Sequence, residues 1–165
     1  MATKTRDKPA AAPRTRYEDD LYTWVQEQVA LLRAGRFDEV DAGNVAEELS
    51  DVGKSEYKSL SSSIAVLVQN LLKWDHQPSK QSRSWALSVR EQRIQIEQVL
   101  LDSPGLKSRI DDAVVQGYRL GAVRALKETG LEEDALPQSC PYTFEDMMSR
   151  PIAYQTPARE RRKKR

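Results

Sequence analysis

An all-α, four-helix bundle-like domain is predicted for this chain, on three observations. Apolar residues recur at three- and four-residue spacing over four long stretches. The connections between those stretches are short and carry proline, glycine or small polar residues, and no stretch alternates convincingly as a strand would. Charged residues make up 31% of the 165 and hydrophobic ones 39%, the balance of charged helices around one moderate core.

The first helix is expected over Tyr17 to Ala34. Asp19 or Asp20 can cap it, because a short acidic side chain accepts from the free N–H groups of the first turn. Its inward stripe reads Leu21, Trp24, Val25, Gln28, Leu31 and Leu32, and Gly35 is placed for a left-handed C-terminal cap. A second helix starts near Asp41 or Asn44, where Asn44 and Glu47 resemble a capping box. Its seam runs Val45, Leu49, Gly53, Tyr57, Leu60, Ile64, Leu67, Leu71 and Trp74. Gly53 costs about 1 kcal/mol of helix propensity, which either a close helix contact or a kink would explain.

The most informative stretch is LLKWDHQPSKQSRSWALSVREQR, residues 71–93. A polar loop with Pro78 joins two apolar-striped segments, each with a tryptophan beside the loop, so helices two and three form a hairpin. The third helix runs from about Ser82 to Asp102. Its main stripe is Trp85, Val89, Gln92, Ile96 and Val99, with Leu87, Ile94 and Leu101 beside it. Ser103-Pro104 reads as the start of a fourth helix, with proline at its first position. That helix ends at Gly130, and Gly117 and Gly121, four apart, suggest a tight helix crossing. Thr143 caps a short last helix over Phe144 to Ser149.

The net charge of +1 conceals a division. Residues 1–16 carry +4 and residues 156–165 carry +5; subtracting both from +1 leaves −8 for residues 17–155. The expected organisation is a disordered basic arm (1–16), a single helical domain (17–155) and a disordered basic tail (156–165). No apolar run approaches the ~20 residues of a membrane span. The N-terminus lacks the apolar core of a secretory signal, and Cys140 is the sole cysteine, so a reducing cytoplasmic location is expected.

Few residues suggest chemistry. Glu48 flanks the seam of helix two and could meet an arginine across the bundle. Arg90 and Arg93, three apart on helix three, are solvated, pair with Glu48 or Glu56, or line an anion or partner site. Trp24, Trp74 and Trp85 are read as core or hairpin-closing residues; an exposed pair would instead mark an interface. No metal is expected, because one histidine and no Glu-x-x-His pair fall short of a carboxylate-bundle ligand set. No phosphate loop, nucleophile elbow or cofactor motif is present, and Ser61, Ser62 and Ser63 have no histidine in spacing to activate them.

The ordered series DLYTWVQEQVALLRAGRFDEVD, NVAEELSDVGKSE, LLKW, SRSW, REQR, SPGL, ETG and CPYTFEDMM resembles the bacterial domain of unknown function 29 family, over about residues 17–150. The resemblance implies a small, all-helical protein, of a kind known mainly from cyanobacteria and proteobacteria, with no assigned activity. No catalytic residue can be carried over. Three function classes follow. The leading one is a non-catalytic module that binds another protein or itself through an exposed apolar patch, around Trp24 and the Phe144–Met148 segment. The second is nucleic-acid association, with Arg161, Arg162, Lys163, Lys164 and Arg165 as phosphate contacts. The third is an enzyme or ligand binder at a Glu48/Arg90/Arg93 polar site.

Overall fold

A computed structural model describes residues 15–154. Every regular element among them is helical, so the all-α class holds. The α-helices are α1 (Leu21–Arg33), α2 (Ala42–His76), α3 (Arg83–Asp102), α4 (Ile110–Thr129) and α5 (Phe144–Ser149), joined through short 3-10 turns. The chain forms two compact units, one ending at Val52 and the other beginning at Gly53, with the boundary inside α2.

In the first unit, Asp20 caps α1 by accepting from the Thr23 N–H at 3.1 Å. The helix stops where Gly35 takes φ +69°, the left-handed conformation that a Cβ disfavours. Trp24 is buried on α1, with the Tyr17 ring edge-on to it at 4.9 Å. Gln28, buried one turn on, accepts from the Asp41 N–H at 2.8 Å and so ties the connector back to α1. Asp41 rather than Asn44 caps α2: its carboxylate accepts from both the backbone and side-chain N–H of Asn44. The expected Asn44/Glu47 box is therefore one turn too late.

The second unit is built on the C-terminal part of α2. From Leu60 to Trp74 nearly every side chain is buried, as in a helix enclosed on all sides. α3 supplies Val89, Gln92 and Ile96, α4 supplies Ala113, Tyr118 and Ala125, and α5 inserts Met147. The expected glycine crossing is real. A Cβ on Gly121 would lie 2.6 Å from the Ala65 carbonyl oxygen, and one on Gly117 2.6 Å from Ile64 Cγ2. Ser82 caps α3, accepting from the Trp85 N–H at 3.3 Å, and Thr143 with Asp146 forms a complete capping box on α5.

Several expectations fail. Leu49 sits on the expected seam of helix two yet is 67% exposed, and Val52 is also exposed. Ser103-Pro104 does not open an α-helix: Pro104–Arg109 is a 3-10 turn, α4 begins at Ile110, and Ser103 makes no side-chain cap bond. Nothing lies within 4 Å of a Cβ built on Gly53, so a close helix contact is not the reason for that glycine.

Candidate functional site

The closed end of the α2–α3 hairpin concentrates the polar side chains of the second unit. Its loop is short because Pro78 opens a 3-10 turn, and the Gln81 side chain donates back to the Trp74 carbonyl at 3.0 Å. Trp74 is 8% exposed, while Trp85 is only half-buried. Lys73 is buried; its Nζ lies 4.7 Å from the centre of the Trp85 ring and donates to Glu128 of α4 at 2.5 Å. The same carboxylate accepts from Gln69 at 2.5 Å. A buried ammonium is tolerable there because it has both a counter-charge and an aromatic face.

A second cluster pins the C-terminal segment beside that end. Asp75 accepts from Tyr142 Oη at 2.8 Å and from both terminal nitrogens of Arg150, at 2.8 and 2.5 Å. Burial opposes ionisation of Asp75. The hydrogen bonds from Arg150 and Tyr142, with the Arg150 charge, outweigh it and hold the carboxyl below its usual range. Tyr142 is driven the other way, by burial first and then by its bond to Asp75. Arg93 completes the clamp by donating to the carbonyls of Met147 and Arg150, both at 2.7 Å. Burial and then the neighbouring Arg150 charge depress its ionisation.

This clamp has the make-up of a fastener. Arg93 is occupied by backbone carbonyls, and Arg150 by a bidentate carboxylate. Cys140 is half-buried, burial raises its thiol pKa, and it donates weakly to the Tyr142 carbonyl, none of which favours a thiolate nucleophile. Among the described residues, no group of three or more His, Cys, Asp or Glu side chains is placed to hold a metal ion. No helix among them is long and apolar enough to cross a membrane.

The expected site residues have different surroundings. Glu48 accepts from Tyr17 Oη at 2.6 Å within the first unit, and that bond, followed by burial and the Glu48 charge, pushes the phenol up to about 12. Arg93 belongs to the C-terminal clamp, and Arg90 is exposed on α3. Trp24 is 3% exposed and Met147 is fully buried, so the apolar patch expected around Trp24 and Phe144–Met148 cannot be formed by those two residues. Arg161, Arg162, Lys163, Lys164 and Arg165 lie outside the described residues. The sequence reading missed Asp75, Tyr142 and Arg150, although Tyr142 stands inside the CPYT motif.

An apolar surface is found instead on α3. Leu87, Ile94 and Leu101 are 49%, 57% and 72% exposed. At 3.6 residues per turn, the buried stripe of Val89, Gln92 and Ile96 lies on roughly the opposite side of the same helix. Leu87 and Ile94, with Arg90, Glu91 and Gln95, line an open groove of about 490 Å³.

The family model described as "Domain of unknown function DUF29" matches residues 16–152. The chain belongs to that family. No curated protein and no solved structure matches it.

Proposed function

We propose that this member of the DUF29 family is a non-catalytic helical module that acts by binding another protein through the outer face of α3. The observation that carries the reading is the exposed row Leu87, Ile94, Leu101. Scattered apolar residues are ordinary on any surface. A row repeating every seven residues keeps to one helix face, where a second helix can lie along it. The clamp around Asp75 supports the reading from the other direction, because its strongest hydrogen-bonding groups are spent on holding α5 in place.

The test compares the wild-type chain with a Leu87→Ser/Ile94→Ser/Leu101→Ser variant, in light scattering and in capture from the native cell. All three positions are exposed, so circular dichroism should show an unchanged fold. Loss of association in the variant is the expected result. Association that is equal in both proteins would refute the reading.

A further inference from the structure

We infer that the partner for the outer face of α3 is a second copy of this chain, docked antiparallel about a two-fold axis that passes beside Ile94. The inference rests on the binding role proposed above and names the partner. Leu87 and Leu101 stand seven residues to either side of Ile94, each within about 20° of the same line along the helix. Arg90 and Glu97 fall on one flank of that line, and Glu91 and Gln98 on the other. All four are exposed.

A two-fold axis perpendicular to both helices brings like flank against like flank. Leu87 then meets the partner's Leu101, and Ile94 meets the partner's Ile94. Arg90, four residues before the centre, meets the partner's Glu97, three residues after it. Symmetry repeats that ion pair. On the other flank Glu91 meets the partner's Gln98, so no carboxylates are forced together. A closed two-fold interface needs a patch that complements itself, and opposite charges spaced on either side of an apolar centre satisfy that requirement.

A parallel pairing places Arg90 against the partner's Glu91 and leaves Glu97 facing only Gln98. It also aligns two helix dipoles that the antiparallel arrangement opposes. From Leu87 to Leu101 the strip is about 21 Å long. One helix face of that length buries less than the ~800 Å² per partner of a standard interface, so the dimer should be weak and concentration-dependent.

Analytical ultracentrifugation of the full chain over roughly 10 µM to 1 mM, the range of weak association, tests the inference. The weight-average mass should rise towards twice the 18.8 kDa of the chain. Arg90→Glu and Glu97→Arg should each weaken the dimer about tenfold or more, because each turns two attractive pairs repulsive. An equimolar mixture of the two variants should form a heterodimer at least as tight as wild type, since both 90/97 pairs are then opposite in sign. The Arg90→Glu/Glu97→Arg double variant should regain self-association.

A chain that stays monomeric at the highest concentration overturns the inference. So does association that neither swap changes by more than about twofold, on a scale where tenfold is 1.4 kcal/mol. Weakening by Arg90→Glu alone, with Glu97→Arg silent, overturns the antiparallel register in favour of the parallel one. If the chain is monomeric but the triple serine variant still loses capture of another protein, self-pairing fails while the binding role stands.

Discussion

Replacing Gly121 by alanine measures how closely α4 lies on α2. The new Cβ would sit 2.6 Å from the Ala65 carbonyl oxygen and 3.2 Å from Gln69 N and Val68 Cβ, whereas ordinary contact begins at 3.4 Å. Two of these three obstacles, the closest among them, are backbone atoms, which no rotamer change can move. α4 must therefore retreat by the difference between 3.4 and 2.6 Å, about 0.8 Å. A gap of that size forfeits a quarter to a half of the dispersion well for each atom pair across the contact. Overpacking of this kind costs ~1–3 kcal/mol and occasionally more. Alanine regains about 1 kcal/mol of helix propensity, so a net loss of about 0–2 kcal/mol remains. Gly53→Ala is the control. It lies in a helix with nothing within 4 Å of the new Cβ and should stabilise by ~0.5–1 kcal/mol. Urea denaturation followed by circular dichroism and tryptophan fluorescence reads both. A Gly121→Ala protein as stable as the Gly53→Ala protein would refute the close approach.

Trp74→Ala should cost ~3–5 kcal/mol in the same assay, as a fully packed large side chain does. Trp85→Ala should cost less, about 1–3 kcal/mol, because its ring is half-buried and its loss also uncovers the Lys73 ammonium. Equal losses would contradict the difference in burial. Asp75→Asn should destabilise by about 1 kcal/mol at pH 7, a figure reduced for the solvent access of the Arg150 pair. The Asp75 carboxyl is held below its unfolded value, so its contribution is present above pH ~4 and is lost as pH falls through the lower folded value. The gap between wild type and Asp75→Asn should therefore close on acidification; a gap constant down to pH ~2 would show that the ion pair is not its source. Glu48→Gln should bring the Tyr17 phenol, held near 12, back towards the usual ~10 in a tyrosine-selective NMR titration.

The helix ends were legible where the signal is local. Asp20, Gly35, Ser82, Gly130 and Thr143 act through their own or adjacent turns, so residue type and spacing suffice. Gly117 and Gly121 were legible because only a close neighbour makes two glycines at four-residue spacing worth their cost in helix propensity. Pro104 misled because a proline that suits the first turn of an α-helix suits a 3-10 turn equally well. The clamp was not legible at all. Asp75 and Arg150 are 75 positions apart, and Arg93 bonds to carbonyls, which have no side-chain identity to read. Leu49 misled for a related reason: spacing places a residue on a helix face, but it does not say that another element covers that face.

That last distinction bears directly on α3. Its sequence carries two apolar stripes, Trp85–Val89–Gln92–Ile96–Val99 and Leu87–Ile94–Leu101, which helical periodicity places on opposite sides without saying which of them the fold covers. The structure separates them, because α2 and its neighbours take up the first and leave the second to solvent. A helix that needed only to close its own core would be expected to place Lys, Glu or Gln at 87, 94 and 101, as it does at 91 and 98. Leucine and isoleucine at those three positions leave about half or more of each residue in solvent and increase the tendency of the chain to associate. Their regular seven-residue interval, with opposite charges at 90 and 97 on one flank, is what a helix partner requires and what a buried core does not.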